Sequence, residues 1–157
     1  MGFSISGGAA IVFAGMFIAF GMFYSATADT QERINDARTS QADGLVEEKN
    51  AEVEVVSAAY DTTVDPNELT VEVNNTGATT LSVSDTDLLV NGQYQETEVS
   101  RTVDGPNTTP TTATDVWAPG ERLTVVVEWP GSDPTPTRVK IVTTTGVGDV
   151  ETNVVVT

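Results

Sequence analysis

The chain has 157 residues and a formal net charge of −16, with 23 acidic and 7 basic side chains and neither cysteine nor histidine. The acidic excess should repel a phosphate backbone, so nucleic-acid binding is not expected. The composition also excludes disulfides, cysteine-based zinc sites, thiol nucleophiles and imidazole bases. Its only lysines are Lys49 and Lys140. An acidic, lysine-poor surface suits concentrated salt, which screens self-repulsion. We therefore expect a halophilic source, with an ordinary acidic extracellular domain as the alternative.

Residues 1–26 are predicted to form a transmembrane helix. The stretch from Phe3 to Tyr24 contains 22 consecutive uncharged, mostly apolar residues. As a helix they would span about 33 Å, enough for a bilayer core of about 30 Å. A secretory signal peptide would carry a basic start and a shorter apolar core. Cleavage within "YSATA", near Ala28, is the alternative, and it would release the rest of the chain.

Small residues recur at a spacing of four within this segment. Such pairs let two helices approach closely in lipid. The candidate helix–helix packing residues are Gly15, Ala19, Gly21 and Ser25.

The charges that follow the apolar segment bear on its orientation. Arg33 and Arg38 would place this side in the cytoplasm by the positive-inside rule. They alternate, however, with Asp29, Glu32 and Asp36. We therefore expect a single-pass protein of the cell membrane whose C-terminal domain is extracellular.

Residues 27–50 are predicted to continue the helix outward as a stalk. The segment is polar, free of proline and rich in helix formers, with a thin apolar stripe at Ile34, Ala37 and Leu45. The Asp43–Gly44 pair interrupts that stripe. A weakly ordered linker is the alternative.

Residues 51–157 show short runs of period-two alternation separated by turn signals. Leu69–Gly77 is one such run, and Asn91–Gly92 marks a tight hairpin. About seven or eight strands at this spacing predict an all-β fold of immunoglobulin-like antiparallel β-sandwich type, preceded by the helix and its stalk. The predicted core residues are Val53, Val55, Leu69, Val71, Val73, Leu81, Leu89, Leu123, Val125, Val127, Val139 and Ile141.

The acidic pairs are predicted to be solvated rather than catalytic. Glu52 with Glu54, and Asp85 with Asp87, have the i, i+2 spacing that puts each pair on one face of a strand. The hard oxygen ligands of Asp85 and Asp87 suit calcium, but no loop here has ligand spacing as specific as that of an EF-hand. We expect no catalytic residues, cofactor, metal or small-molecule substrate.

Two N-glycosylation sequons occur, Asn74-Asn75-Thr76 and Asn107-Thr108-Thr109. Both fall in predicted turns or loops, where a glycan can attach. Asn74 and Asn107 are therefore the candidate modification sites.

Several stretches together resemble one family. They are "MGFSISGGAAIVFAGMFIAFGMFYSATADTQERINDA", "LTVEVNNTG", "TTLSVSDTDLLVNG", "WAPGERLTVVVE" and "PTRVKIVTTTGV". The chain resembles the haloarchaeal FlaF (ArlF) family of the archaellum, the archaeal swimming motor. The resemblance implies an anchored protein beneath the S-layer whose outward domain binds the S-layer protein. With a FlaG-like sister protein, it would act as the stator of the motor. The family carries no compact catalytic motif, so no site residue follows from it.

A filament subunit resembling an archaellin or type IV pilin is the competing hypothesis, with N-terminal helices packed in a filament core. A pilin-like precursor would carry a basic, glycine-ended leader, whereas Gly2 follows Met1 directly. We therefore expect no leader cleavage, although a filament of unprocessed helices stays open. A secreted adhesion module is a third class. Membrane lipid and a homo-oligomer complete the expected partners, and exposed sheet edges are the expected docking surface.

Overall fold

The computed structural model describes residues 3–95, 100–105, 110–130 and 133–157. The chain divides into two compact units, Met1–Asp43 and Gly44–Thr157. One helix, α1, runs from Phe3 to Asn50. The stalk segment is thus helical, and the helix continues through Gly44 because a single glycine costs an exposed helix only about 1 kcal/mol. The boundaries drawn after residues 26 and 50 stay predictions.

Eleven strands follow in the described part of the second unit. They are β1 Val53–Asp61, β2 Glu68–Asn75, β3 Leu81–Ser82, β4 Asp87–Val90, β5 Gln93–Tyr94, β6 Ser100–Asp104, β7 Val116–Trp117, β8 Arg122–Glu128, β9 Val139–Val142, β10 Gly148–Glu151 and β11 Val155–Val156. The count exceeds the predicted seven or eight because two-residue strands form at turns and edges.

The strands form three sheets, with the orders β11-β1-β2-β8-β6, β10-β9-β4-β5 and β3-β7. Neighbouring strands are antiparallel except β1 and β11, which pair in parallel at Ala59 and Tyr60. The arrangement is consistent with a β-sandwich, whereas the immunoglobulin-like type stays a prediction. "All-β" is wrong for the whole chain, because α1 takes up 48 of its 157 residues.

One apolar core joins strands of all three sheets. The predicted core residues are buried except Leu89, which is only half-buried. Its neighbours Leu88 and Val90 are buried instead, at 1 % and 0 % exposure. Because Leu88, Leu89 and Val90 are all apolar, the sequence does not show which of them point into the core. A shift of one residue along a strand exchanges the side chains on its inward and outward faces. Trp117 and Trp129 also belong to the core.

A bulge in β1 changes which side chains face the core. The register with β2 shifts between Val55 and Ser57, so Val55 is buried while Val56 is 44 % exposed. Past the bulge, Ala58 takes the inward position. The backbone N–H of Val55 donates instead to Oδ2 of Asp149, at 2.8 Å. A β10 side chain thereby satisfies a backbone donor on the side of β1 where β11 pairs only with Ala59 and Tyr60.

The predicted hairpin at Asn91–Gly92 is confirmed. Asn91 and Gly92 both have positive φ, 52° and 86°, as a type I′ turn requires. The turn joins β4 to β5, with Leu89 opposite Tyr94.

Asn75 is a fully buried polar residue at the end of β2. Its Nδ2 donates to the carbonyls of Thr79 (2.9 Å) and Trp117 (3.1 Å), and its Oδ1 accepts from the N–H of Gly77 (3.1 Å). Its own carbonyl accepts from the N–H of Gly120, at 2.8 Å. The side chain therefore joins the turn after β2 to β7, and the main chain of Asn75 joins the end of β2 to the segment between β7 and β8.

The same turn holds the start of the β-domain, defined here as residues 51–157. The N–H groups of Thr76 and Gly77 donate to the carbonyl of Glu52, at 3.0 and 2.9 Å. The N–H of Ala78 donates to the carbonyl of Asn50, at 2.7 Å. The junction between α1 and β1 is thus fixed by main-chain hydrogen bonds.

Candidate functional site

The apolar part of α1 is a candidate membrane anchor. In the part of the chain that the structure describes, α1 is the one helix long and apolar enough to cross a bilayer. Its large apolar side chains between Ile11 and Tyr24 are each at least 61 % exposed. Ten such side chains form a surface far larger than the apolar patches that soluble proteins expose. Hydrocarbon is the environment that suits this surface.

The predicted packing residues lie on this part of α1. A Cβ placed at Gly15 or Gly21 meets no described atom within 4 Å, so the helix surface beside both residues is open. Ala19 is exposed, and the side chain of Ser25 lies outside the described residues. Packing of a second helix at these positions stays a prediction.

The two sequons differ from expectation in where they lie. Asn74 is in β2 and not in a turn, which corrects the prediction. Its Oδ1 accepts from Nε of Arg122 on β8, at 3.1 Å. The run Asn-Asn-Thr-Gly is typical of a turn, but β2 pairs with β8 as far as Asn74 and with β1 as far as the buried Asn75. Asn107 lies outside the described residues. Glycosylation of either residue stays a prediction.

The paired acids lie at the surface. Glu52, Glu54, Asp85 and Asp87 are exposed, as expected for a solvated face. Among the described residues, no three acidic side chains group closely enough to hold a metal ion.

Asp115 has a structural partner set that the sequence did not reveal. Its Oδ1 accepts from the N–H of Ser84 at 2.7 Å, and its carboxylate accepts from Oγ of Ser82 at 3.2 Å. These hydrogen bonds, first that of the Ser84 N–H, lower the pKa of Asp115. Their contribution to stability is therefore present above the unfolded-state pKa and is lost as the pH falls through the lower folded-state pKa. Because the carboxylate is exposed, we expect it to fix a surface turn rather than to perform chemistry.

The outward faces of the two larger sheets differ in chemistry. On the five-stranded sheet, half-buried threonines surround an ion pair between Arg122 and Glu72, with 3.5 Å between Nη1 and Oε2. Oε2 of Glu72 also accepts from Oγ of Ser57, at 2.9 Å. The centre of this face is polar, and its Arg122 and Glu72 are partners of each other.

The outward face of the four-stranded sheet is more apolar. Tyr94 and Val150 are 54 % and 37 % exposed, and Leu89 and Val142 are half-buried. Within the strands, the charged side chains that share this side are Asp87 and Lys140. We call these six residues the outer β4–β9 face.

The expected free sheet edge is present at β11. Val155 and Val156 point to opposite faces of this edge strand, yet they are 51 % and 55 % exposed. β11 ends the order of the five-stranded sheet. An exposed apolar edge of this kind is a docking candidate, although the strand has only two residues.

Comparison with known proteins gives one family model and one solved structure. The family model described as archaeal-type flagellin matches residues 2–151. Among solved structures, the archaellum periplasmic stator protein FlaG from Sulfolobus acidocaldarius has a TM-score of 0.40 and 19 % identity, covering 64 % of this chain and 97 % of that chain. A TM-score of this size assigns no function. No curated protein matches the chain.

Proposed function

Since the chain belongs to the archaeal-type flagellin family and is thus an archaellum component, we propose that it is a membrane-anchored stator subunit. In this role the apolar part of α1 spans the cell membrane once. The β-domain lies outside, beneath the S-layer, and binds the S-layer protein together with a FlaG-like sister protein. The chain performs no catalysis.

The distribution of charge along α1 carries the proposal. The helix has no charged side chain before Asp29, and then nine in 22 residues: Asp29, Glu32, Arg33, Asp36, Arg38, Asp43, Glu47, Glu48 and Lys49. All nine are exposed. The first part of the helix therefore suits lipid, and the second suits water.

A packed filament core asks for something different from α1. Helices that bundle along their length need an apolar stripe about 100° wide or more. Between Ile34 and Leu45 the helix offers only Ala37 and Ala42 as apolar side chains. The charged half is better suited to stand in solvent as a stalk than to pack among other helices.

The charge of the β-domain supports an outward position. Residues 51–157 carry 17 acidic and 4 basic side chains, a net charge of −13. In concentrated salt, screening removes long-range attraction and repulsion alike. Binding to an acidic S-layer must then depend on apolar contacts and hydrogen bonds.

Shearing tests the stator against the filament subunit. Shearing detaches archaella from cells and so separates the filament proteins from the proteins that stay with the membrane. We expect the chain in the membrane fraction, at a copy number far below that of the filament protein. Recovery in sheared filaments at filament stoichiometry would overturn the stator proposal and establish the filament subunit. The family description is the observation that favours this second candidate.

The anchor itself is tested by charge. Replacing Phe13 and Phe17 with arginine should abolish membrane retention and swimming, because each charge at mid-membrane costs about 3 kcal/mol. The matched control places the same residue at Ile34 and Ala37, in the charged half of α1, where both properties should persist. Equal membrane retention of the two double variants in fractionated cells would contradict a lipid-embedded first half.

Orientation is tested with a single cysteine, since the native chain has none. Thr80 is exposed on the β-domain, and Thr80→Cys should react with a membrane-impermeant maleimide in intact cells. Labelling that requires permeabilised cells would place the β-domain inside. A glycan mass at Asn74, absent from Asn74→Gln, would independently confirm the outward orientation.

A further inference from the structure

We propose that Asn91 is a covalent modification site, at which the chain deamidates itself when the tip of the β4–β5 hairpin opens. The proposal goes beyond the stator role and holds for either candidate function. Asn91 is the only asparagine of the chain that a glycine follows, and the contacts of its side chain in the folded protein control the reaction.

The Asn91–Gly92 pair supplies both reacting groups. Hydroxide removes the proton of the Gly92 N–H, and this nitrogen attacks Cγ of Asn91. The Cγ–Nδ2 bond breaks, and Nδ2 takes a proton from water and leaves as ammonia. The product is a five-membered succinimide ring, which water opens to either aspartate or isoaspartate. Glycine favours the attack because it has no side chain to hinder its nitrogen.

The folded turn prevents this ring from closing. The φ values of Asn91 and Gly92, 52° and 86°, fit a type I′ turn, in which the ψ of the first residue is about 30°. At that ψ the nitrogen of Gly92 and Cβ of Asn91 lie nearly opposite each other about the Cα–C bond. The ring requires them on the same side. Cyclisation therefore has to wait until the main chain of Asn91 rotates out of the turn.

The carboxamide of Asn91 is also held by the segment that leads into β9. Its Oδ1 accepts from the N–H and Oγ1 of Thr137, both at 3.0 Å, and from the N–H of Arg138, at 3.3 Å. Its Nδ2 donates to the carbonyl of Thr135, at 3.2 Å. The backbone N–H of Asn91 donates to the carbonyl of Arg138, at 2.8 Å. Ring closure must break the bonds of the carboxamide as well as rotate the main chain.

The hairpin that carries this site is short. β5 has two residues and ends the order of the four-stranded sheet. Its registered pairs with β4 are Leu89 with Tyr94 and Val90 with Gln93. Asn91 and Gly92 are exposed, so water and hydroxide reach them. A short edge element of this kind opens locally at a small fraction of the global unfolding free energy. The tip can therefore open while the apolar core stays folded.

The two products have different effects on the hairpin. Aspartate leaves the main chain unchanged, and its carboxylate can accept the same bonds from Thr137 and Arg138. Isoaspartate carries Cβ in the main chain, which lengthens the turn by one atom. A two-residue turn fixes the register of its strands, so the longer turn cannot restore the pairing of β4 with β5. Formation of isoaspartate thus makes a transient opening permanent.

The rate of the reaction tests the control by the fold. The full chain is incubated in detergent and high salt at mildly alkaline pH, in water enriched in heavy oxygen. Peptide mapping by mass spectrometry then follows loss of the amide and uptake of one solvent oxygen at Asn91. We expect the folded chain to react at least about tenfold more slowly than the same chain unfolded in urea. Equal rates in the two states, or no reaction in urea, would overturn the proposal.

A pair of threonine variants tests the contacts of the carboxamide. Thr137→Val removes one donor to Oδ1 and should speed the reaction of the folded chain about threefold. Thr135→Val is the matched control, because Thr135 offers Asn91 only its main-chain carbonyl, and it should react at the native rate. In urea, where these contacts are lost, all three chains should react alike. Equal rates for the two folded variants would show that the Thr137 hydroxyl does not restrain Asn91.

Hydrogen exchange tests the effect of the product. Chains modified in urea are refolded, and the isoaspartate form is separated by chromatography. Its amides between Leu89 and Tyr94 should exchange at least about tenfold faster than those of Asn91→Asp, which has the same charge and an unchanged main chain. Exchange in the buried strands β2 and β8 should be the same in both proteins. Equal protection of the hairpin in the two proteins would contradict a permanent opening.

Discussion

Replacing Gly77 with alanine should lower the free energy of unfolding of the β-domain by about 3 kcal/mol. The added Cβ would lie 2.5 Å from the carbonyl oxygen of Asn50 and 2.5 Å from the backbone nitrogen of Glu52. Both are main-chain atoms, so no rotamer change relieves the collision. Either the turn after β2 or the end of α1 must move.

Movement at this point breaks more than one interaction. The turn donates three backbone hydrogen bonds to Asn50 and Glu52, and the N–H of Gly77 also donates to Oδ1 of Asn75. A shift of the backbone would lengthen these bonds together. The cost therefore exceeds that of one methyl group in a flexible core.

Urea unfolding of the full chain in detergent and high salt measures the effect. Gly44→Ala is the matched control, because Gly44 lies in α1 with no described atom near an added Cβ. That control should stabilise its helix by about 1 kcal/mol. A Gly77→Ala protein as stable as the native chain would show that the junction is looser than the hydrogen bonds indicate.

Asn75→Ala should destabilise the β-domain by about 3 kcal/mol, the second large effect. The substitution leaves the carbonyls of Thr79 and Trp117 without the Nδ2 donor in a buried site. Each unsatisfied buried group costs about 1–3 kcal/mol. The indole of Trp117 is itself fully buried, and its Nε1 donates to the carbonyl of Glu121 at 2.9 Å, so the neighbourhood cannot open to water without disrupting the core.

The adjacent asparagine is the control. Asn74→Ala removes one partly exposed hydrogen bond to Arg122 and should cost less than about 1 kcal/mol. Thermal unfolding monitored by tryptophan fluorescence compares the two. Equal losses for both variants would contradict the role given to Asn75.

The sequence predicted those structural elements that are determined by residues close together in the chain. The run from Phe3 to Tyr24 indicated a helix, and Asn91–Gly92 indicated a hairpin because both residues tolerate positive φ. The sequence could not show which side chains of Leu88–Val90 point into the core, since all three are apolar. The run at Asn74 predicts a turn, whereas the strand continues there because Asn74 pairs with Glu54 and Arg122, about 20 and 48 residues away in the sequence.

The outer β4–β9 face was beyond sequence reasoning for the same reason. Asp87 was noted for its spacing from Asp85, and Lys140 for its rarity. Only the register between β4 and β9 makes them diagonal neighbours. The parallel pairing of β11 is equally non-local. Its residues Val155 and Val156 pair with Ala59 and Tyr60 of β1, which lie 96 positions earlier in the sequence.

The connection between α1 and β1 has a mechanical consequence. β1 begins at Val53, directly after the clamped Asn50–Glu52 junction, so tension carried by the helix enters the domain at the end of this strand. Eight residue pairs join β1 to β2, and their hydrogen bonds run perpendicular to the strand axis. A pull along β1 would therefore strain these bonds in shear, all at once. Attachment through β11, with two registered pairs, would instead let the sheet peel from its edge.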